Sequence, residues 1–521
     1  MILERGRDPG RFAVLLLMLA AALAATLLRL PALSDRPMHA DEAVLADKFG
    51  TLLEEGEYRY DPAGFHGPAL LYLSLLPARL AGARNYLALS ETDLRLTPAL
   101  CGLLLVAAPF LLAPSLGWTA ASWAALLLSV APSFVYYSRY FIPETLLALS
   151  TAALVGFGAR WLAGGGFPWA VAAGISAGIM LATKETAVFA LAAAGIALAP
   201  WAIRGSTVNR KQLMTAAGAG ILVAAAFYSS FGANPAGLWD FPRSYFLTYA
   251  RQGLQPGPHV HPWHYYLGLL LWFRQDGGPV FSEALILAAA VPGVWACWRS
   301  GKVFPRFLVL YSAFLIVMYS LVPYKTPWCL LSFHFTLALL AGCGAQWLLE
   351  GSNGWRRTAA WVLLLSGAGH LAWQSQQAIL RYSADPRNPW VYAHTTPQVF
   401  ELRDRLEALA AAHPDGRRLP VQVFSKTSLW PLPWYFRPFP NVQWWNGVPS
   451  FAQPAPVILL TPDMEPALVS LLYESRPPGQ RELYMTMFNQ PLSLRPAVEL
   501  RGFVSKSLWD LCRARSSPAP R

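Results

Sequence analysis

Charged residues are scarce in this chain of 521 residues. Asp, Glu, Lys and Arg together make up 13% of it, whereas an ordinary soluble domain has roughly 25%. This scarcity excludes an intrinsically disordered chain, which needs high charge and few apolar residues. With 55% hydrophobic residues, the sequence carries more apolar surface than one soluble core of this length could bury. The composition therefore predicts that the main solvent of the chain is a lipid bilayer.

Two other signals of function class are also missing. The net charge is +12, but Lys and Arg are scattered at the ends of apolar runs and form no basic tract or aromatic–basic RNA motif, so we expect no nucleic-acid partner. The cysteines are odd in number and have neither CxxC spacing nor histidines at metal-ligand spacing, so we expect buried thiols without a disulfide framework. They are Cys101, Cys297, Cys329, Cys343 and Cys512.

Long uncharged runs are what the sequence has instead. The first, Phe12 to Leu28, follows three arginines and lacks a clean small-residue cleavage site, so we interpret it as an uncleaved span and not as a signal peptide. Ten further runs are long enough to cross roughly 30 Å of hydrocarbon. They are 95–113, 118–136, 144–162, 169–183, 186–203, 213–232, 280–298, 307–323, 328–349 and 358–376. The sequence predicts an all-α polytopic membrane domain of about eleven transmembrane helices over residues 1–379.

The distribution of Lys and Arg between the loops predicts the orientation. With the N-terminus inside, the cytoplasmic segments carry Arg5, Arg7, Arg11, Arg160, Arg204, Arg210, Lys211, Arg299, Lys302, Arg306, Arg356 and Arg357. The short opposite loops carry only Arg139, Lys184 and Lys325. The positive-inside rule then places the N-terminus in the cytoplasm and, with an odd number of spans, the C-terminal segment outside. The Ala/Arg/Pro-rich composition is typical of a high-GC prokaryote, so we expect the inner (plasma) membrane.

The predicted outer segments have structure of their own. The first contains Asp41–Gly56, whose apolar residues recur at helical spacing, and the apolar Pro68–Leu80. The second contains Trp263–Phe273, which is too short to cross the bilayer. We interpret all three as interfacial helices. Residues 380–521 have ordinary charge, and their short apolar runs bounded by Pro and Asp predict a small α/β domain on the extracytoplasmic face.

Charged and polar residues near the predicted outer ends of the spans are the candidate functional residues, because charge beside hydrocarbon is costly and often marks function. We expect them to converge in one pocket at the level of a lipid phosphate. The alternative is structural: Asp41 caps its helix, Arg139 lies along the membrane surface, and Lys184 and Glu185 are ordinary charges at a helix end. The candidates are Asp41, Glu42, His66, Arg139, Glu144, Lys184, Glu185, His261, His264 and Lys325.

Sugar transfer from a polyprenyl phosphate would use such a set. A carboxylate must take the proton of the acceptor hydroxyl, and a cation must stabilise the leaving phosphate. Asp41 could be the base, oriented by Glu42 or by a metal. The candidate cations for the phosphate are His66, Arg139, Lys184 and Lys325. The other residues of the set could contact the substrate elsewhere.

A divalent metal is a second possibility for the histidines of the second outer segment. His259, His261 and His264 form an H-x-H-x-x-H set, and neutral imidazoles beside a carboxylate can bind such an ion. The spacing is not a specific signature. Polar contacts at the membrane surface or hydrogen bonds to substrate are the alternative, so no cofactor is assigned.

At these residues the chain resembles the GT-C membrane glycosyltransferases, including the protein O-mannosyltransferases and the aminoarabinose transferases of lipid A. It is most similar to the group of the flippase activity-associated protein Agl23. The motifs that carry this likeness are His39-Ala-Asp-Glu42, Tyr58-Arg-Tyr-Asp-Pro62, Tyr136-Tyr-Ser-Arg139, Thr183-Lys-Glu-Thr186, His261-Pro-Trp-His-Tyr-Tyr266, Tyr324-Lys-Thr-Pro-Trp328, Tyr392-Ala-His-Thr395 and Pro431-Leu-Pro-Trp-Tyr435.

The resemblance implies a GT-C fold with Asp41 as the catalytic carboxylate. His66 stands where the aminoarabinose transferases have a lysine that contacts phosphate, and Pro143-Glu144 stands where the Agl23 group often has Asn-Asp. The implied activity is inverting single displacement, by an EC 2.4-type glycosyltransferase, from a polyprenyl-phosphate-linked sugar to a glycan, lipid or protein acceptor on the outer face. The alternatives are a flippase or flippase-accessory component for lipid-linked saccharides, and a non-catalytic envelope scaffold.

Overall fold

The structure is a computed structural model that describes residues 9–62, 64, 66–202, 209–252, 257, 259–450, 452–474, 477, 479 and 481–516. The chain divides into two compact units. The helical unit comprises Met1–Leu33 and Lys48–Tyr392, and the α/β unit comprises Ser34–Asp47 and Ala393–Arg521. Composition predicts the boundary at residue 379. It stays a prediction that the membrane part is catalytic and that the C-terminal part lies outside.

The chain up to Tyr392 is helical, and the first half of its second helix belongs to the α/β unit. The helices are α1 (Pro9–Arg29), α2 (Ala40–Glu55), α3 (Ala69–Leu80), α4 (Glu91–Ala107), α5 (Ala113–Leu116), α6 (Trp118–Val130), α7 (Pro132–Tyr137), α8 (Glu144–Arg160), α9 (Phe167–Leu181), α10 (Ala187–Ala202), α11 (Arg210–Tyr228), α12 (Gly237–Gln252), α13 (Tyr265–Leu271), α14 (Ala284–Arg299), α15 (Val303–Leu321), α16 (Leu331–Glu350) and α17 (Gly354–Gln376).

Each predicted span overlaps a helix, and the span 118–136 overlaps two, α6 and α7, which confirms the all-α polytopic membrane fold. Among the residues that the structure describes, six helical segments are long and apolar enough to cross a membrane. They are Gly10–Arg29, Glu91–Leu116, Glu144–Gly165, Arg210–Tyr228, Val303–Leu321 and Pro327–Glu350. Helices α6, α9, α10 and α14 are apolar but shorter. The chain is therefore a multi-pass membrane protein, and the count of eleven crossings stays a prediction.

Helix α16 lies at the centre of the helical unit. Its apolar segment is 94% buried, against 17% for the first span. Glycines let α14 reach its backbone: a Cβ on Gly293 would lie 1.8 Å from the Leu340 carbonyl oxygen, and one on Gly344 would lie 1.9 Å from that of Ala289. Lipid provides no hydrophobic driving force between helices. Close van der Waals packing at small residues stabilises such contacts instead.

The three predicted interfacial segments are helical too, as α2, α3 and α13. Their place at the membrane surface stays a prediction. Sequence analysis does not predict α12, because Asp240, Pro242 and Arg243 interrupt its apolar residues.

The α/β unit confirms the predicted class of the C-terminal segment. Its helices are α18 (Gln398–Ala412), α19 (Leu432–Phe436), α20 (Glu465–Val469) and α21 (Lys506–Ser516), and its strands are β1 (Val421–Phe424), β2 (Val442–Trp445), β3 (Val457–Leu460), β4 (Tyr484–Thr486), β5 (Leu492–Arg495) and β6 (Val498–Ser505). The strand order is β2-β1-β3-β6-β4, with β5 paired to β6. Strand β1 is parallel to β2 and β3, and β6 is antiparallel to β3, β4 and β5. The central β1 and β3 are fully buried, which explains why β3 is entirely apolar and why Gln422 is the only polar residue of β1.

Candidate active site

The first half of α2 carries the Asp-Glu pair, and the structure separates the roles of the two carboxylates. Glu42 is completely buried. Its Oε2 accepts the His39 backbone N–H at 2.9 Å, and its two oxygens accept from the Arg36 guanidinium at 3.1 and 3.0 Å. An acidic residue at the third helical position that binds the amide before the helix is one half of a capping box. Glu42 therefore fixes the start of α2.

The imidazole of His39 supplies the other half of this cap. Its Nδ1 accepts the backbone N–H of Asp41 at 3.1 Å. The Asp41 carboxylate lies 3.8 Å from the same Nδ1, and its side chain is 42% exposed. The cap is thus made by the neighbours of Asp41, while its own carboxylate faces outward. Within the pair, Asp41 has the geometry of a reactive group and Glu42 that of a positioning residue.

Residues from the C-terminal part of the α/β unit surround this segment. The His394 ring lies 5.0 Å from the His39 ring, and the Tyr435 hydroxyl accepts the Met38 backbone N–H at 2.9 Å. Arg495 of β5 also interacts with Asp41: burial lowers the pKa of Arg495, and the Asp41 carboxylate opposes that shift. His394 and Tyr435 belong to quoted motifs, whereas nothing in the sequence distinguishes Arg495 from other arginines of an ordinary soluble domain.

In the helical unit, four of the predicted residues form two linked ion pairs, here called the charge array: His66, Glu144, Lys184 and Glu185. Lys184 Nζ binds Glu144 Oε1, and both side chains are buried. His66 Nδ1 lies 2.7 Å from Glu185 Oε2, and only His66 is appreciably exposed, at 29%. That His66 and Lys184 contact the donor phosphate, and that Glu144 and Glu185 contact the substrate, stays a prediction.

Two residues of the array, Lys184 and Glu185, have shifted pKa values. Burial alone would lower the pKa of Lys184, but the nearby Glu144 carboxylate outweighs burial and raises it. Burial alone would raise the pKa of Glu185, but His66, with Lys184 contributing, lowers it. An opposite charge at hydrogen-bond distance favours the charged form of a group, which explains the direction of both shifts.

The backbone at Gly67 positions the array. Glu144 begins α8, and Lys184 and Glu185 follow the end of α9. A Cβ on Gly67 would lie 2.2 Å from the Ala182 carbonyl oxygen, so only glycine allows this approach. The same oxygen accepts the Ala69 N–H at 2.9 Å. His66 is thereby placed beside Glu185.

Arg139 and Lys325 donate to backbone carbonyls. The terminal nitrogens of Arg139 donate to Leu28, Arg29, Pro31 and Ala32 at 2.6 to 3.3 Å, at the end of α1. Lys325 Nζ donates to Val322 at 2.5 Å and His261 at 3.2 Å, and burial lowers its pKa. Carbonyls left without partners at a helix end need such donors. Both cations thus hold the backbone, and their contact with phosphate stays a prediction.

The histidines of the second outer segment do not act as one set. His259 Nδ1 and His261 Nε2 lie 2.6 and 3.4 Å from the Tyr392 hydroxyl, and the His261 ring stacks on Tyr265 at 4.1 Å. His264 is exposed and has a ring contact with Trp263. Burial, together with His259 and Lys325, lowers the pKa of His261. Among the described residues, no three His, Cys, Asp or Glu side chains are grouped so that they could hold a metal ion.

Sequence reasoning missed a fully buried cluster beneath the Tyr136–Arg139 motif. Glu283 Oε1 accepts the Ser133 N–H at 2.7 Å, its Oε2 accepts the Ser133 hydroxyl at 3.1 Å, and His334 Nε2 lies 2.7 Å from that oxygen. Ser133 lies in the first turn of α7, so Glu283 caps the helix that leads to Arg139. The signal was present as a lone Glu and a lone His beside or inside apolar runs.

Comparison with known proteins agrees with this architecture. Residues 66–229 match the family described as dolichyl-phosphate-mannose-protein mannosyltransferase. The structure of ArnT from Cupriavidus metallidurans bound to undecaprenyl phosphate is similar with a TM-score of 0.65 and 16% identity, over 94% of this chain and 98% of that chain. The archaeal oligosaccharyltransferase AglB from Archaeoglobus fulgidus, in complex with an inhibitory peptide and a dolichol-phosphate, is similar with a TM-score of 0.56 and 14% identity, over 97% of this chain and 77% of that chain.

The chain therefore has the GT-C fold of the membrane glycosyltransferases, as the resemblance implies. No curated protein sequence matches it. Membership of the Agl23 group stays a prediction.

Proposed function

We propose that this protein is a membrane glycosyltransferase that moves a sugar from a polyprenyl-phosphate-linked donor to an acceptor on the extracytoplasmic face. The GT-C fold supports the class of reaction. The undecaprenyl phosphate bound by ArnT and the dolichol-phosphate bound by AglB support a polyprenyl phosphate as the lipid of the donor. We propose the inner membrane as its location, with a cytoplasmic N-terminus and an extracytoplasmic C-terminal unit, from the distribution of Lys and Arg.

The observation that carries the proposal is the outward-facing carboxylate of Asp41 on a helix start that its neighbours hold in place. Asp41 takes the proton of the acceptor hydroxyl as that oxygen forms its bond to the anomeric carbon. The bond from that carbon to the phosphate oxygen breaks on the opposite face of the sugar, and its electron pair leaves with the phosphate. This single displacement inverts the anomeric centre.

Among the cations of the helical unit predicted to contact phosphate, His66 is the one suited to it. Lys184 is enclosed with Glu144, and Arg139 and Lys325 donate to carbonyl oxygens. His66 is partly exposed, and its Nδ1 faces Glu185; in the proposed complex its imidazole donates a hydrogen bond to a phosphate oxygen. We propose that Glu185 orients His66 in this way.

The test uses the full chain in lipid nanodiscs with radiolabelled undecaprenyl-phosphate sugars and bacterial membranes as the source of acceptor. We expect label to leave the lipid fraction with the wild type and not with Asp41→Asn. Glu55→Gln, an exposed carboxylate at the other end of α2, is the matched control and should remain active. If Asp41→Asn is as active as the wild type, Asp41 is not the base.

The same preparation distinguishes the alternatives. A protein that moves the labelled lipid across a vesicle bilayer without sugar transfer would be a flippase component. A protein that does neither, while its C-terminal unit binds glycans, would be a scaffold.

A further inference from the structure

A cavity of about 180 Å³ opens at the end of the helical unit where α14 and α16 finish and α15 begins. One water molecule needs only ~10–15 Å³ of such space, so the cavity has room for a polar group of several atoms. It is lined by Ser115, Leu116, Ala296, Cys297, Ser300, Lys302, Pro305, Cys343, Gln346, Trp347 and Glu350. The candidate active site uses none of these residues.

The cavity lies at the depth of lipid headgroups. Three of the six candidate spans found among the described residues end here: one finishes at Leu116, one begins at Val303 and one finishes at Glu350. Residues at the end of a span meet the polar layer of a bilayer, whichever side of the membrane that end faces. The lining fits this depth, because its serines, Gln346 and Lys302 lie beside apolar groups such as Leu116 and Pro305.

Tryptophan and arginine surround the opening. Trp347 of the lining packs edge-on against Trp295 at 5.1 Å, and both rings are exposed. Arg299 lies over Trp295 at 5.1 Å. Arg306 lies over Trp298 at 5.8 Å, and its Nε donates to the Trp298 carbonyl at 3.0 Å. Exposed tryptophans at the end of a span form the belt that rests at headgroup level.

The charges at the cavity favour an anion. Lys302 and Glu350 are the charged residues of the lining. Two further positive charges, Arg299 and Arg306, are the neighbours in sequence of the lining residues Ser300 and Pro305. Basic pockets between transmembrane helices bind the headgroups of anionic lipids.

We infer that this cavity binds the headgroup of an anionic glycerophospholipid, with its phosphate at Lys302 and its acyl chains along the exposed tryptophan face. The inference concerns a lipid of the surrounding bilayer and is independent of the proposed sugar transfer.

Brominated lipids test it, since bromine quenches tryptophan fluorescence only on contact. The full chain in detergent is titrated with brominated phosphatidylglycerol and, separately, with brominated phosphatidylcholine. We expect tighter binding of phosphatidylglycerol. Lys302→Gln should weaken it about five-fold, which corresponds to the ~1 kcal/mol that one cation contributes near a charged lipid. Arg356→Gln is the matched control, because Arg356 also lies over an exposed tryptophan, Trp355, and does not line the cavity.

Three results would overturn the inference: equal affinity for the two lipids, an equal effect of Lys302→Gln and Arg356→Gln, or full competition by glycerol 3-phosphate at the concentration of the lipid. The last result would identify a site for a free anion. Circular dichroism and thermal unfolding of each variant show that lost quenching does not come from lost fold.

Discussion

At the start of α2 one carboxylate is buried and the other is exposed, whereas both carboxylates of the charge array are buried. At the start of α2, Glu42 is buried against Arg36 and the His39 amide, and Asp41 faces outward. In the array, Glu144 and Glu185 are both buried and each has a basic partner. An acid that is fully paired gains little by accepting a proton, whereas an outward-facing one can take it from a substrate. The comparison supports the proposed roles: Asp41 as the base, His66 as the member of the array that contacts phosphate, and the other three members as positioning residues.

Replacement of Asp41 is the strongest test of this comparison, because it should have the largest effect on sugar transfer. Asp41→Asn keeps the shape of the side chain and removes the base, so we expect transfer to fall on the order of 10²–10⁴-fold. The thermal unfolding midpoint should stay near that of the wild type, because Asp41 makes none of the buried contacts of its neighbour. Asp41→Glu should retain part of the activity. A large loss of stability in Asp41→Asn would instead make Asp41 structural.

Replacement of Glu42 should do the reverse. Glu42→Ala leaves the buried Arg36 guanidinium without its carboxylate, and removal of one partner of a buried pair costs about 3–5 kcal/mol. We expect a clear loss of stability, measured by thermal unfolding or limited proteolysis in detergent. The double variant Arg36→Met with Glu42→Gln should be less destabilised, because no buried charge is left alone. If Glu42→Ala folds as the wild type does and lacks only activity, Glu42 takes part in the chemistry.

The membrane fold follows from the sequence because its cause is local. Uncharged runs such as 307–323 are helical in a bilayer whatever surrounds them, since every backbone group must be paired within the segment. The short apolar runs at Val421–Phe424 and Val457–Thr461 likewise predict the α/β class of the C-terminal segment. The helix α12 is not predictable in this way, because it has no uninterrupted apolar face.

The candidate residues were found because charge is rare beside long apolar runs, but their pairing was not predictable. Nothing in the sequence tells that Lys184 turns to Glu144 while the adjacent Glu185 turns to His66. Sequence also cannot tell which carboxylate of Asp41-Glu42 is buried, because that depends on Arg36, six residues before Glu42. The expectation of a single pocket for all these groups stays a prediction.

Replacement of Arg139 tests whether a cation of the helical unit is structural or contacts the donor, and its expected effect on stability is smaller than that of Glu42→Ala. Its nitrogens donate to four carbonyls at the end of α1, and hydrogen bonds to a charged group are worth about 1.5–3 kcal/mol. Arg139→Gln should therefore lower the thermal unfolding midpoint. If Arg139 instead contacts the donor phosphate, KM for the donor should rise in Arg139→Gln with stability unchanged.

The pH dependence of the array gives the smallest effect and the finest test. The pKa of Glu185 is lowered in the folded protein, because His66 and Lys184 outweigh burial. The contribution of Glu185 to stability is therefore fully present above the pKa of about 4.3 that a glutamate has in the unfolded chain. It is lost as the pH falls through the folded pKa. Tyr60 and Tyr228 also interact with Glu185 but stay neutral in acid. In His66→Gln the main charge that lowers this pKa is gone, so less stability should be lost on acidification from pH 5 to pH 3. Identical acid profiles for the wild type and His66→Gln would mean that His66 does not hold Glu185 ionised, and its orientation toward a phosphate would lose its physical basis.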